Sequence, residues 1–296
     1  MSGRGARLGA AAAVVLLAAC RPAPRAPAGT GVPVADDAGD TSRMALPAHR
    51  IVSLNPAATE LLFAIGAGGD VVGRTEWCDY PPAVRAVPSL GDGINPNLEA
   101  VVARKPDLVL LYTSGQNADA VRRLAKLGIP ALRFRTDSLS DVPRLARVFG
   151  RLTGREPSAD SVARVFEADL AAATAPAPTR RPTVFLLVWD QPPMTVGRGS
   201  FLTELIERAG GENVFADVAS SSAPVSIEAV AARNPDVILI LGSEPPAFAE
   251  RSEWQVVRAV RERRFVRADG SEFSRPSPRA PEAIRRLHAE LEAAAR

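Results

Sequence analysis

Histidine and cysteine are almost absent from this chain of 296 residues, which contains two of each. His49 and His288 lie outside the loops that follow candidate strands, so a Ser/His/Asp triad or a histidine-rich zinc or manganese site is not expected. Cys20 and Cys78 are too few for a disulfide framework. No glycine-rich motif of the dinucleotide-binding or phosphate-binding kind occurs. We therefore expect no catalytic residues, no cofactor and no metal site.

Aromatic residues make up only 5% of the sequence, and the net charge is only +3 although the pI is near 9.3. The arginines are scattered, and no basic patch alternates with stacking side chains, which argues against nucleic-acid binding. A carboxylate-dependent enzyme stays open as an alternative. Glu76, Asp79 and Asp92 lie on or near candidate loops, although carboxylates there commonly cap helices or form turns.

Residues 1–19 have the pattern of a secretory signal peptide. Arg4 and Arg7 precede an apolar run that is too short to span a bilayer, and small residues follow it. Residues 17–20, Leu-Ala-Ala-Cys, resemble the bacterial lipobox, in which the cysteine becomes the lipidated first residue of the mature protein. We expect lipidation at Cys20 and a location in the periplasm or at the cell surface, with the lipid as the attachment to the membrane.

Residues 20–47 are predicted to form a flexible tether behind this anchor. The segment is rich in alanine, proline, glycine and aspartate and contains no aromatic residue, so it cannot bury enough apolar surface to order itself. Its expected end-to-end distance is on the order of 30 Å. Cys78 then has no disulfide partner in the mature chain, and the oxidising compartment predicts that its thiol is shielded.

The rest of the chain nearly repeats itself. Residues 98–111 read LEAVVARKPDLVLL, and residues 227–240, which lie 129 positions later, read IEAVAARNPDVILI. Each copy is a short amphipathic helix, a proline that ends it and an apolar run of strand length, as in a parallel α/β sheet. The pattern predicts an N-terminal lobe at 48–137, a helical spine at 138–178 and a C-terminal lobe at 179–296. Clefts between such lobes commonly bind small molecules.

Strands that alternate with helices predict mostly parallel sheets in both lobes. Ligands bind beyond the carboxyl ends of such strands, so the loops 75–82, 113–117, 190–199 and 269–278 are the places to search. Trp77 and Tyr80 share the first of these loops with the proline pair 81–82, and Trp189 directly precedes the third loop, which contains the proline pair 192–193. Such rigid surfaces suit a large, flat ligand with polar edges. The candidate ligand-binding residues are Trp77, Tyr112, Trp189, Asp190, Met194, Phe273 and Arg275.

Several motifs spread over about residues 49–294 carry a resemblance to a known family. They are WCDYPP at 77–82, NPNLE at 95–99, KPD at 105–107, the proline pair at 192–193, GGENVF at 210–215 and SPR at 277–279. Together they resemble the cobalamin-binding substrate-binding proteins of ABC importers, in the group that also binds haem and iron-siderophore complexes. The resemblance implies two α/β lobes joined by one long rigid helix. It also implies that Trp77 contacts the corrin and that the segment from Ser271 to Arg275 contacts ligand.

The resemblance also implies how the protein meets its importer. Members of this family dock through one acidic residue on each lobe, which pairs with arginines of the permease. Glu99 and Glu228 match those positions and occupy the same place in the two copies of the repeat. Symmetric carboxylates suit a two-fold permease dimer, because each lobe then meets one subunit. The alternative is that a glutamate near a helix start merely stabilises the helix dipole.

The predicted pocket is less aromatic than the family pattern. Gly93 and Met194 replace aromatic residues, Ser271 stands where an acidic residue can occur, and Glu272 stands where an aromatic can. We expect a monomeric, lipid-anchored binding protein, not an enzyme, that delivers cobalamin or a related corrinoid to a permease dimer. A ferric siderophore would need several converging basic side chains, and haem a tyrosine or histidine ligand; both stay open as alternatives.

Overall fold

A computed structural model describes residues 31–174, 181–242 and 246–294. The predicted signal peptide at 1–19 and the predicted lipidation site, Cys20, lie outside the described residues. Within the part of the chain that is described, no helix is long and apolar enough to cross a membrane.

Residues 31–47 are ordered, and the prediction of a flexible tether is wrong for this stretch. β1 (Val32–Ala35) and β2 (Thr41–Met44) pair as an antiparallel ribbon. Asp36, between the strands, is buried and accepts hydrogen bonds from the backbone N–H and the Nε of Arg133, at 3.2 and 3.3 Å. Met44 packs into the main core. Composition does not predict this order, because the ribbon buries little apolar surface of its own. A few specific contacts with the rest of the protein hold it in place.

The N-terminal lobe is a parallel four-stranded sheet with helices packed against it. Its elements are β3 (Ile51–Ser53), α1 (Pro56–Ala64), β4 (Val71–Arg74), α2 (Leu98–Ala103), β5 (Leu108–Tyr112), α3 (Gly115–Lys126) and β6 (Ala131–Phe134). The strands lie in the order β4-β3-β5-β6. α1 begins at Pro56, because the side chain of Asn55 accepts hydrogen bonds from the N–H groups of Ala57 and Ala58.

Two helices, α4 (Asp141–Thr153) and α5 (Glu156–Ala173), follow the first lobe. The resemblance implied one long helix, but the chain turns between them at Gly154, whose φ is 66°. This left-handed conformation favours glycine and ends α4. The two helices pack closely, since a Cβ added to Gly150 would lie 2.5 Å from the Cβ of Ala159. The spine is therefore a helix pair in which each helix supports the other.

The C-terminal lobe contains a second parallel sheet and a small antiparallel one. Its elements are β7 (Thr183–Leu187), β8 (Trp189–Asp190), β9 (Pro193–Thr195), α6 (Phe201–Arg208), β10 (Glu212–Asn213), β11 (Ala223–Pro224), α7 (Ile227–Arg233), β12 (Val237–Leu241), α8 (Arg258–Arg261), β13 (Phe265–Ala268) and α9 (Ala280–Ala294). The parallel sheet has the order β10-β7-β12-β13, and the antiparallel one has the order β11-β9-β8. α4 packs on α1 and α5 packs on α9, so the spine contacts both lobes.

The two parallel sheets have the same topology. Counted along the chain, each places its strands in the order second, first, third, fourth, and the repeated strands β5 and β12 are the third of each. The repeated helices also begin and end alike. Asn97 and Ser226 each accept a hydrogen bond from the N–H three residues ahead, and Lys105 and Asn234 have φ values of 50° and 46°. The predicted fold class, two α/β lobes with mostly parallel sheets, is confirmed.

One hydrophobic core runs through both lobes and the spine between them. It includes Ile51 of the first sheet, Phe149 of α4 and Val184 of the second sheet. Separate clusters around Leu111 and Trp254 cover other parts of the two sheets. Because the main core is continuous, the lobes are held in a fixed relation and the space between them has a defined shape.

Candidate functional site

A cleft of about 650 Å³ lies between the two lobes. Its size is within the range typical of small-molecule sites. Most of its wall follows the carboxyl ends of strands in both parallel sheets, which is where ligands of α/β proteins bind. The residues that line it include Asn55, Glu76, Trp77, Asp79, Tyr112, Asp137, Ser200, Phe201, Ser221, Ser222, Ser271, Ser274 and Arg275.

Four predicted ligand-binding residues, Trp77, Tyr112, Ser271 and Arg275, line the cleft. The side chain of Trp77 is 62% exposed, so its ring can stack on a ligand. The hydroxyl of Tyr112 donates a hydrogen bond to Oδ1 of Asp137 at 2.7 Å. Partial burial, followed by this hydrogen bond to a carboxylate, raises the pKa of Tyr112 to about 12. The phenol therefore stays protonated at neutral pH.

Trp189, Asp190 and Met194 lie on the hairpin of β8 and β9, and the residues that line the cleft do not include them. Trp189 is exposed, and its Nε1 donates a hydrogen bond to the carbonyl of Gln191 at 2.8 Å. Asp190 accepts a hydrogen bond from Arg251 at 3.1 Å. Met194 pairs with Trp189 across the hairpin. Ligand contact at these three positions stays a prediction.

The prediction that Phe273 contacts ligand is wrong. Its side chain is only 2% exposed and packs in the main core, where the guanidinium of Arg286 lies 5.4 Å from the ring centre. A single 3₁₀ turn over Ser271–Phe273 follows β13 and turns the ring inward. The loop was expected to present its aromatic residue to the cleft, but it presents Ser271, Ser274 and Arg275.

Arg275 is in the cleft wall as predicted, yet its charge is already paired. Its guanidinium donates to Glu60 Oε2 and to the carbonyl oxygen of Trp77, both at 3.3 Å, and forms a short ion pair with Asp79. Burial raises the pKa of Asp79, but the hydrogen bond and positive charge of Arg275 outweigh burial and bring the pKa below its ordinary value. Arg275 thus joins the C-terminal lobe to two carboxylates of the N-terminal lobe.

Glu60 and Arg279 complete this contact between the lobes, and neither was predicted as a site residue. Glu60, on α1, is 2% exposed and accepts hydrogen bonds from Arg279 Nε and Nη2, at 2.7 and 3.0 Å. Arg279 also pairs with Glu272 at 2.6 Å. Its guanidinium lies 4.0 Å from the ring centre of Tyr80. The available signal was a charged residue, Glu60, within the mostly apolar helix α1.

Cys78 is buried beneath the loop that carries Trp77, which confirms the prediction of a shielded thiol. Its Sγ lies 3.1 Å from the hydroxyl oxygens of both Thr59 and Thr75. These contacts attach the loop to α1 and to the end of β4. The cysteine therefore helps to position Trp77 without facing solvent.

The two predicted docking residues lie at equivalent places on the lobes. Glu99 and Glu228 are exposed in the first turns of α2 and α7. Hydrogen bonds from its own backbone N–H and then from the Ser226 hydroxyl lower the pKa of Glu228. Both side chains are accessible to a partner, and the docking role itself stays a prediction.

Two α/β lobes, a supporting helical spine and a cleft between the lobes define a binding protein for a small molecule. A family model described as periplasmic binding protein matches residues 51–272, and the chain belongs to that family.

Relatives of similar length support this assignment. A protein of Bacillus subtilis (strain 168), named uncharacterized ABC transporter substrate-binding lipoprotein YvrC, is 32% identical over 247 residues. The match covers 80% of this chain and 78% of that protein. A vitamin B12-binding protein of Salmonella typhimurium is 31% identical over 241 residues, covering 81% of this chain and 89% of that protein.

Solved structures share the fold. The periplasmic vitamin B12-binding protein BtuF of Vibrio cholerae aligns with a TM-score of 0.72 at 26% identity. The periplasmic haem-binding protein RhuT from Roseiflexus sp. RS-1, in its apo form, aligns with a TM-score of 0.74 at 27% identity. Each alignment covers 84% of this chain and 99% of the other.

Proposed function

We propose that this protein captures cobalamin or a related corrinoid outside the cytoplasm and delivers it to an ABC importer. The observation that carries the proposal is the cleft between the lobes, with the ring of Trp77 exposed on its wall. The names of the relatives agree with it, since vitamin B12-binding proteins match more than four fifths of the chain. The binding step needs no covalent chemistry.

The chemistry of the cleft suits a corrin, which is a broad apolar ring edged by amide groups. Trp77 offers an aromatic face on which part of such a ring can be buried. Serine hydroxyls both donate and accept hydrogen bonds, so they can pair with either end of an amide. The serines of the cleft wall are Ser200, Ser221, Ser222, Ser271 and Ser274.

Haem is the second candidate, because the structurally similar protein RhuT binds it. Iron of haem is commonly held by histidine or by tyrosine. Among the described residues that line the cleft, Tyr112 is the one such side chain. Its pKa of about 12 and its hydrogen bond to Asp137 oppose formation of the phenolate. The corrinoid is therefore favoured over haem.

A carboxylate-dependent enzyme is the least favoured candidate. Asp79 is one of the candidate carboxylates, but its ion pair with Arg275 and its lowered pKa make it a weak proton acceptor. Membership of a family of binding proteins argues in the same direction.

Titration with cyanocobalamin, followed by calorimetry and tryptophan fluorescence, tests the proposal. We expect saturable one-to-one binding with a Kd of about 1 μM or tighter, which is roughly −8 kcal/mol. Trp77→Ala should weaken binding about tenfold or more if this ring is a central contact. Trp189→Ala, which removes an equally exposed ring outside the cleft wall, tests the ligand contact that is predicted there. Failure to bind cyanocobalamin, with saturable binding of haemin, would replace the corrinoid by haem.

The proposal includes docking through Glu99 and Glu228. Both are exposed at equivalent helix starts, one on each lobe, and exposed charges mainly orient the encounter of two proteins. The double variant Glu99→Ala/Glu228→Ala should keep its affinity for ligand and lose transport in vesicles that contain the cognate permease. The control Glu207→Ala/Glu290→Ala removes two other exposed glutamates and should transport normally. Equal transport by both double variants would refute the docking assignment.

Lipid attachment at Cys20 belongs to the same proposal. Labelling of growing cells with a fatty-acid analogue should mark the wild-type protein and leave Cys20→Ala unmarked. Labelling of both proteins would rule out Cys20 as the site.

A further inference from the structure

The wall of the cleft carries more negative than positive charge. Among the described residues that line it, three are carboxylates, Glu76, Asp79 and Asp137, and Arg275 is the one guanidinium. Glu76 is exposed, and Asp137 is partly buried with one oxygen hydrogen-bonded to Tyr112. Carboxylate oxygens accept hydrogen bonds and do not donate them. The cleft therefore offers hydrogen-bond acceptors to the N–H groups of a ligand and few positively charged partners for an anionic group of a ligand.

Arg275 cannot serve as a ready anion site. Arg275 is only 9% exposed, and its guanidinium donates hydrogen bonds to Glu60, to Asp79 and to the carbonyl oxygen of Trp77. The neighbouring Arg279 is likewise engaged with Glu60 and Glu272. A ligand carboxylate would have to displace Asp79 from Arg275 or lie beside it. If the ligand carboxylate displaced Asp79, Asp79 would lose its positive partner. If both carboxylates stayed beside Arg275, two negative charges would repel each other.

We propose that the cleft selects a ligand whose rim is neutral or cationic and rich in amide N–H donors, and that Asp79 enforces this choice by occupying Arg275. The inference rests on the proposed corrinoid function and narrows it to fully amidated corrinoids. Discrimination of this kind comes from repulsion of the wrong ligand as much as from attraction of the right one. It also predicts weak binding of haem, because its propionates are anionic.

The test compares cyanocobalamin with derivatives that each differ from it in one peripheral group. Cyanocobalamin carries peripheral propionamides, and its monocarboxylic derivatives carry one propionate in place of one amide. Each isomer is titrated by calorimetry at pH 7 into the full-length protein, its variant Asp79→Asn and the control Asp160→Asn. Asp160 is a carboxylate on α5 that pairs with Arg147 at 3.5 Å, and it does not line the cleft.

We expect the wild-type protein to bind at least one acid isomer about tenfold or more weakly than cyanocobalamin, and none more tightly. The Kd of the acid isomer divided by the Kd of cyanocobalamin measures this discrimination. Asp79→Asn should lower this ratio by about threefold or more, because Arg275 then retains only the Glu60 carboxylate. Asp160→Asn should keep the wild-type ratio. Thermal unfolding of each variant establishes that it is folded. If Asp79→Asn does not fold, the variant Asp137→Asn is used instead, because it also removes one negative charge from the wall of the cleft. The ratio should again be lower than in the wild-type protein.

Three results would overturn the inference. Equal or tighter binding of every acid isomer, with cyanocobalamin bound, would refute the discrimination and leave the corrinoid function intact. An unchanged ratio in folded Asp79→Asn, or in Asp137→Asn where it is the variant used, would refute the role of these carboxylates. Binding of no corrinoid at all would refute the proposed function, and the inference would fall with it.

Discussion

Glu60 is a carboxylate of the N-terminal lobe that is buried against two arginines of the C-terminal lobe. Moving such charges out of water is costly, and the cost is offset only while every partner stays in place. The net contribution of the whole group to stability can therefore be small although the loss of one member is severe. If Glu60 lost its charge, the buried Arg275 and the largely buried Arg279 would each lose one carboxylate partner.

We expect Glu60→Gln to lower the free energy of unfolding by about 3–5 kcal/mol, as found when one partner of a buried pair is removed. Urea unfolding followed by circular dichroism measures the change. The control is Glu250→Gln, since Glu250 pairs with Arg263 and both side chains are 70% exposed. That change should cost less than about 1 kcal/mol. Similar losses in the two variants would contradict a special role for the buried cluster.

The pH dependence of stability should report the ion pair of Asp79. Its pKa in the folded protein is lower than the ordinary value of 3.8, mainly because Arg275 outweighs the opposing effect of burial. A lowered pKa stabilises the folded state above the unfolded pKa, and this contribution disappears as the pH falls through the folded pKa. The melting temperatures of wild type and Asp79→Asn should therefore differ by a constant amount above about pH 5 and converge at lower pH. A difference that grows on acidification would contradict this assignment.

Side-chain direction limited what the sequence could predict about the site. The cap at Asn55 was predictable because it depends on residues two and three positions away. The inward turn of Phe273 depends on a short 3₁₀ segment that carries no strong local signal. The pairing of Arg275 with Glu60 joins residues 215 positions apart. Local patterns located the loops of the cleft but could not show which side chains face it.

Among the secondary-structure elements, the spine depends on a close approach between α4 and α5. Gly150 faces Ala159, and a Cβ at Gly150 would come within 2.5 Å of the alanine Cβ. The sequence predicts two helices here because each has its own apolar periodicity. Their packing against each other depends on the absence of a side chain at one position, which periodicity does not describe.

We expect Gly150→Ala to destabilise the protein by about 1–3 kcal/mol, because the added methyl group forces the two helices apart. The control is Gly115→Ala in the first turn of α3, where a Cβ would meet no atom within 4 Å. The intrinsic helix preference of alanine acts in the same favourable direction at both positions. Urea unfolding of the two variants therefore isolates the steric contact. A neutral or stabilising Gly150→Ala would show that the spine can relax around the methyl group.

Long elements were predicted better than short ones. The repeated helix and strand of residues 98–111 appear as α2 and β5, in the order that the sequence predicts. The spacing of apolar residues over 254–260 favours a single helix, but the structure has a 3₁₀ turn at Ser252–Val256 followed by the separate α8. The antiparallel pairs of β8, β9 and β11 were not predicted. Strands of two or three residues have too little alternation to detect, and their pairing depends on distant partners.

The duplication of the lobes extends to how they contact the rest of the protein. Glu60 and Glu204 each follow a threonine in the corresponding helices α1 and α6. Glu60 reaches the arginines of the opposite lobe, and Glu204 accepts a hydrogen bond from the backbone N–H of Leu139 just before α4, at 3.2 Å. Each lobe thus contributes one of these equivalent glutamates to a contact outside the lobe. The main core also continues between the two parallel sheets through α4 and α5.

This continuity predicts that the two lobes unfold together. Separation of the lobes would expose apolar side chains of α4 and α5 as well as the buried cluster around Glu60, so neither lobe keeps its full core alone. We expect one calorimetric transition with equal calorimetric and van't Hoff enthalpies. In the variant Trp77→Phe/Trp189→Phe, Trp254 is the sole remaining tryptophan and reports on the C-terminal lobe. Its fluorescence midpoint should coincide with that of circular dichroism, which reports on both lobes, whereas separate midpoints would show that the spine does not couple them.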